Sequence, residues 1–598
     1  MQSAFSRLSA AIFSVIIGLA IPALAEDSPT VAIYDLEGIL SETGIAEESF
    51  ADLGMAGSRP LTMTELSLSL QAAAKDPNLK GVVLDLGDAS VDFSQIQEIR
   101  RLLIALREKE KDVWLYSETL SNGIALLGSA ANHFALMPEA DSDFNGLLIE
   151  SLYFKGMLDH LGIRAEVIHI GDYKSLGEHF YQSGPSDFAR QQEESLADSF
   201  IQQWLSDIAT GRKISIDDLK KLMDRGWLSP KDAVDAKLAD KLQYRTDFVA
   251  ELHEHYGDET HFDHEYKLAS LDGPEINSLL DLMKLAFSDS SKSRGKEDFI
   301  AVVAMEGDIS DESIAPVRTE ILELAKDPRA KGLILRVNSP GGSALASEVL
   351  WEATDEWNAT KKPFVVSMGG VAASGGYYIS SAANRIFAEA STITGSIGVI
   401  GIKFVIKDAM EKIGITTHRT QRGKFAAIMS PFESFSTEEA AAVRESMQAV
   451  YQTFKQRIID GRGKALKKEL ESIAGGRVFT GEDALEVGLV DEIGGLDTAI
   501  AYLKNKTGMK EPIVRLCPPP MSGLEGLFTK PDADDDDELI RAGTDRPAHL
   551  KLKSWLGAHP ASMILPQEVI GQMLKIVTRI DQFSNDRVLL LGPSFDVR

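Results

Sequence analysis

Lys326-Asp327-Pro328-Arg329-Ala330-Lys331-Gly332-Leu333-Ile334-Leu335 is a second writing of Lys75-Asp76-Pro77-Asn78-Leu79-Lys80-Gly81-Val82-Val83-Leu84, 251 residues further along the chain. The echo persists on either side. Ser129-Ala130-Ala131-Asn132 returns as Ser381-Ala382-Ala383-Asn384, and Gly162-Ile163 as Gly414-Ile415, both at 252. Asp232-Ala233, Leu238 and Asp240 return as Asp483-Ala484, Leu489 and Asp491 at 251. A register this steady is an internal duplication. Each copy opens on an apolar run, Val31-Ala32-Ile33-Tyr34 and Phe299-Ile300-Ala301-Val302-Val303. Short apolar runs then alternate with helical apolar spacing, at Ile96 to Leu106 and Leu196 to Ile208 in the first copy and at Thr437 to Ile459 in the second. That alternation predicts an α/β fold of tandem duplicated domains built from ββα units.

The copies differ where chemistry would reside. Val371-Ala372-Ala373-Ser374-Gly375-Gly376-Tyr377-Tyr378 follows the apolar run Phe364-Val365-Val366 and precedes a helix-like stretch. A serine on such a glycine-flanked strand-to-helix turn has an exposed hydroxyl and an adjacent backbone N–H, from Gly375, aimed at any oxyanion formed there. Read alone, the segment is equally a small-residue helix start required by packing. In the first copy, however, Ser374 falls on Asn122, which cannot attack a carbonyl. Asn338-Ser339-Pro340-Gly341-Gly342-Ser343 likewise becomes Gly87-Asp88-Ala89-Ser90 and loses its paired glycines. Conversely, Lys174 in Gly171-Asp172-Tyr173-Lys174-Ser175 maps to Ala426, with Lys424 reachable through a small gap. One copy keeps the serine and the other the lysine.

These motifs, with Thr394-Gly395-Ser396-Ile397-Gly398 after them, give the chain its resemblance to the long, duplicated (67K) type of the signal peptide peptidase A family. The resemblance extends from about Val31 to Leu503. It implies a ClpP/crotonase-like fold and a serine endopeptidase with a Ser/Lys dyad. Carried over, it makes Ser374 the nucleophile, Lys174 the general base, the N–H groups of Gly342 and Gly375 the oxyanion hole, and Ser396 the residue positioning the lysine. It further implies remnant signal peptides as substrates, a homotetramer, and no metal or cofactor. A free lysine is neutral in only about one molecule in 2,500 at pH 7, so a lysine base has to be desolvated. The competing mechanism is a Ser-His-Asp triad, for which His418, expected on a strand over Ile415 to Thr420, is the one nearby histidine. The alternatives to a protease are a catalytically inactive scaffold and an acyl-CoA-binding crotonase-like protein.

The chain has 598 residues, 44% hydrophobic and 25% charged, with a formal charge of −28. Such an acidic protein repels nucleic acid and anionic membrane surfaces. One cysteine, Cys517, excludes an intrachain disulfide framework. Arg7, an uncharged stretch from Leu8 to Leu24 and Ala23-Leu24-Ala25 before Glu26 read as an export signal, either cleaved or kept as a membrane anchor, over residues 1–25. The body is accordingly expected in the cell envelope, on the periplasmic side of the inner membrane. The expected organisation is a first repeat over 30–252, a linker over 253–297, a second repeat over 298–515 and a tail over 516–598. The linker holds His253, His255, His261 and His264, at a spacing that matches no standard metal site. The tail carries Asp534-Asp535-Asp536-Asp537-Glu538 and a helical apolar pattern from Pro566 to Phe583, neither of which points to a function.

Overall fold

The computed structural model describes residues 29–266, save 37, 39, 43–60, 88–90 and 258, then 296–518 and two short segments, 589–591 and 596–597. The export signal, the acidic run and the Pro566 to Phe583 pattern lie outside the described residues. Among the described residues, no helix is long and apolar enough to cross a membrane.

The first repeat contributes β1 (Thr30–Leu36), β2 (Leu79–Leu86), β3 (Asp112–Ser121), β4 (His133–Asp143), β5 (Ile149–Glu150), β6 (Arg164–Ile170), β7 (Lys241–Leu242) and β8 (His261–Asp263). The second contributes β9 (Phe299–Glu306), β10 (Ala330–Ser339), β11 (Gly341–Ser343), β12 (Phe364–Ala373), β13 (Arg385–Ala388), β14 (Ile393–Gly395), β15 (Val399–Val405), β16 (Val478–Phe479), β17 (Glu492–Ile493) and β18 (Ile513–Leu516). The C-terminal segments form β19 (Leu589–Leu591) and β20 (Asp596–Val597).

Each repeat is built on one parallel sheet, in the order β7-β4-β3-β2-β1-β8 and β16-β14-β12-β10-β9-β18. Only the β14–β16 pairing is antiparallel along these paths. Parallel strands are covered on both faces, which is why β9, β10 and β12 read as nearly unbroken apolar runs. In the second repeat, Phe299, Leu333, Leu335 and Val366 pack under the helices Ala344–Ala359 and Thr437–Arg462, through Leu350, Trp357, Phe454 and Ile458. On the opposite face, Ile300, Val302, Ile334 and Val365 meet Leu496 and Leu503 together with Leu68 of the first repeat.

A strand ladder and a buried ion cluster are among the contacts that join the repeats. β6 pairs antiparallel with β15 from Arg164↔Val405 to Ile170↔Val399. Deeper in, the Arg336 guanidinium on β10 is held by Glu42 and Glu98 of the first repeat at 3.0 and 2.9 Å, with all three side chains buried.

The expected linker begins too early. Arg245–Tyr256 is a helix and His261–Asp263 is β8, hydrogen-bonded in parallel to β1. They are the counterparts of the helix Leu496–Thr507 and of β18 on β9. The linker histidines therefore sit in folded surroundings. The His253 ring packs on Phe262, and His255 and His264 reach Asp112 and Asp35. The tail also begins later than expected, since β18 runs to Leu516 and the Cys517 N–H donates to the Val302 carbonyl. Finally, Ile415 to Thr420 forms no strand. His418 lies there on an exposed, irregular stretch.

Candidate functional site

Ser374 stands between β12 and the helix Gly375–Ser380, at φ 56° and ψ −110°. That left-handed backbone is unusual for a residue with a side chain, and it marks a turn held by its surroundings. The Ser374 N–H donates to the Gly395 carbonyl and the Ser374 carbonyl accepts from the Tyr378 N–H, both at 2.8 Å, fixing the turn from either side. Asn122, its counterpart, is not among the residues with positive φ. It opens the helix Asn122–Gly128, and its side-chain amide donates to the Gly146 carbonyl.

Lys174 follows β6, and the β6–β15 ladder carries it into the second repeat. The Tyr173 N–H donates to the Gly475 carbonyl at 2.9 Å, docking the lysine turn on the second repeat. Nζ of Lys174 then lies 2.7 Å from Oγ of Ser374, and 3.0 Å from both the Oγ and the carbonyl oxygen of Ser396. Ser396 is itself held at φ 53°, with its N–H donating to the Arg477 carbonyl at 2.7 Å. Lys174 is 3% exposed and Ser374 not at all. Among the described residues no carboxylate lies within salt-bridge range of Nζ, and burial drives the pKa of the amine well below that of a free lysine. The geometry suits a neutral amine. Its two N–H groups can donate to the two Ser396 oxygens, which leaves its lone pair directed at the Ser374 hydroxyl.

Gly342 lies on β11, with Gly341 accepting from the Ile309 N–H and Ser343 donating to the Ile309 carbonyl, each at 2.8 Å. A Cβ on Gly342 would stand 2.0 Å from the Ile309 oxygen, so only glycine fits. A Cβ on Gly375 would lie 3.2 Å from the Gly342 nitrogen, which places the two backbones against each other beside Ser374. Gly375 opens its helix, where a backbone N–H has no acceptor within the helix. All five expected site residues are thus brought together. Lys424 is not: it pairs with Glu438 on the surface at 2.7 Å.

Peptidase family S49 matches the chain twice, over 105–257 and 356–510. The chain belongs to peptidase family S49. It is 31% identical to the chloroplastic serine protease SPPA of Arabidopsis thaliana over 75% of its own length and 66% of that protein. It is 30% identical to Protease 4 of Salmonella typhi, over 80% of its own length and 78% of the relative. For Protease 4 of Haemophilus influenzae the identity is 29%, over 92% and 89%. The protein is a serine peptidase with a tandem ClpP/crotonase-like fold. The acyl-CoA-binding alternative gives way to this assignment.

Two parts of this peptidase's site were not anticipated from its sequence. One is the Gly475-Gly476 pair under the lysine turn, and the other is the Glu42–Arg336–Glu98 cluster beneath the sheet. The first carried a signal, because the positions 251 residues earlier are Asp224-Arg225 and the glycines therefore belong to one copy only. The second carried none, since isolated carboxylates 56 residues apart, Glu42 and Glu98, acquire a shared role only in three dimensions.

Proposed function

We propose that the protein is a Ser/Lys-dyad endopeptidase in which Ser374 attacks the scissile carbonyl and Lys174 is the general base. The neutral amine takes the Ser374 proton during attack and returns it to the leaving amine, so that no histidine or carboxylate takes part. The N–H groups of Gly342 and Gly375 receive the oxyanion. Ser396 orients the amine through its two oxygens. The observation that carries this reading is a buried, carboxylate-free lysine whose Nζ is 2.7 Å from the hydroxyl of a serine on a strained turn. His418, exposed on an irregular stretch, offers nothing comparable.

The substrates we infer are remnant signal peptides in the cell envelope, as the resemblance to the signal peptide peptidase A family implies, bound in extended form against a strand edge. We further infer export with membrane association, and a homotetramer. Support for assembly comes from the duplication. β5 is the counterpart of β15 and Thr416–Arg422 that of β6, so the segments that pair between the repeats recur without pairing with each other among the described residues. Leu148 and Leu152 near β5, and Ile413 and Ile415 beside Thr416–Arg422, are exposed apolar side chains suited to such a contact.

A fluorophosphonate probe tests the assignment. It should label wild-type protein at Ser374, leave Ser374→Ala unlabelled, and react much more slowly with Lys174→Ala. Labelling of Lys174→Ala at the wild-type rate would refute the lysine base.

A further inference from the structure

Three consecutive residues of the second repeat hold both halves of the site. The Gly475 carbonyl accepts from the Tyr173 N–H at 2.9 Å, the Gly476 N–H donates to the Ile397 carbonyl at 2.8 Å, and the Arg477 carbonyl accepts from the Ser396 N–H at 2.7 Å. The lysine turn and the serine that supports it are therefore registered against one short loop. Two of its three residues are glycines, which have no side chain with which to anchor the loop. The anchor comes from a neighbouring helix.

Tyr451 lies on the helix Thr437–Arg462, which packs against β6 and β15, and its hydroxyl accepts from the Gly475 N–H at 3.1 Å. The side chain is 6% exposed. The Lys455 ammonium stands 4.6 Å from the centre of its ring and is itself paired with Glu471. Burial raises the pKa of the phenol above its ordinary value, so the hydroxyl stays protonated through the range in which a buried lysine titrates.

The duplication singles out this hydroxyl. Thr437–Arg462 is the counterpart of the helix Asp187–Arg212 at an offset of 250, which sets Arg462 on Arg212 and Tyr451 on Ile201. Ile201 packs against the core of the first repeat, so packing alone is served there by an aliphatic side chain. Gly475-Gly476 likewise stand where the first copy has Asp224-Arg225. The hydroxyl and the glycines it holds occur together in the copy that receives the lysine.

We propose that Tyr451 is a positioning residue, which by holding Gly475 fixes how deeply Lys174 is seated against Ser374. The proposal rests on the Ser374/Lys174 reading above. Without the hydroxyl, Gly475 is free to draw away from the Tyr173 N–H, and a loosened lysine turn admits water to Nζ. A better solvated amine is more readily protonated and a scarcer base at neutral pH.

The test follows the rate of fluorophosphonate labelling at Ser374 as pH is raised. Tyr451→Phe keeps the ring and loses only the hydroxyl. Its limb should lie about one pH unit above that of wild type, with labelling about tenfold slower along the limb and equal at the alkaline plateau. Tyr34→Phe removes another buried hydroxyl, one that shares a 2.7 Å hydrogen bond with Oγ of Ser69 in the first repeat, and should leave the limb in place. An unmoved limb in Tyr451→Phe, or an equal movement in Tyr34→Phe, would overturn the positioning role. A limb that persists in Lys174→Ala would instead overturn the lysine base on which that role depends.

Discussion

Gly476 of the second repeat lies so close under Lys174 of the first that a Cβ built on it would stand 2.5 Å from the Lys174 backbone nitrogen. At φ +86° the position also favours glycine on conformational grounds. The lysine turn is thus seated on bare backbone. Gly476→Ala should push Nζ away from Oγ and lower kcat by roughly 10²-fold, the scale of a misplaced catalytic group. Steady-state kinetics beside a urea melt would separate this from unfolding, because the expected stability loss, about 1–3 kcal/mol, leaves the protein folded.

Burial of Lys174 makes activity and stability both depend on pH. kcat/KM should rise with pH through the depressed pKa of the amine and reach its plateau below the free-lysine range. Lys174→Ala should lose that limb together with about 10²–10⁴-fold of rate. A limb near pH 6.5 surviving in Lys174→Ala would point to histidine instead.

The linkage has a definite sign. The folded pKa of Lys174 lies below the unfolded one, so between the two values the unfolded chain holds more protons and stability rises with pH. In Lys174→Met this contribution vanishes. Denaturation from pH 7 to 10 should show wild type gaining stability relative to Lys174→Met, and parallel curves would contradict the buried amine.

The Arg336 cluster should be intolerant of single changes. Glu98 accepts from Arg336, from Ser67 and from the Leu496 N–H, all within the buried interface. Glu98→Ala leaves the guanidinium short of a counter-charge and should cost about 3–5 kcal/mol. Because the cluster ties one repeat to the other, the denaturation curve should also broaden as the two sheets lose cooperativity.

Mixing variants reports where the site is assembled. Lys174 and Ser374 meet within one chain through the β6–β15 ladder. Ser374→Ala mixed with Lys174→Ala should therefore stay inactive at any ratio. Recovered hydrolysis would mean that the two residues are supplied by different subunits.

Much of this was legible before folding, because duplication exposes function as a difference between copies. Ser374 and Lys174 each stood where the other copy had something inert, and the glycines of Gly341-Gly342 and Gly375-Gly376 marked where backbone must approach backbone. Secondary structure was less evenly readable. Ile415 to Thr420 alternates like a strand, yet alternation only creates a strand when a partner edge is present, and among the described residues none pairs with it. The end of the helix and the strand that follows, His253 to Asp263, looked like a linker because their polar, histidine-bearing faces point outward at a sheet edge. The 251-residue register, carried on from Asp240↔Asp491, would have recovered both. β19 was illegible, since three leucines say nothing of the strand they will join.

The antiparallel ladder between β6 and β15 also sets a clock. A chain made from its N-terminus presents Lys174 first, and that lysine stays solvated and charged until β15 has emerged to receive β6. The serine turn, in turn, is complete only when Gly395 and Arg477 are in place. Under the Ser374/Lys174 reading, hydrolytic competence therefore arrives late in the synthesis of each molecule, once both repeats have formed the ladder that joins them.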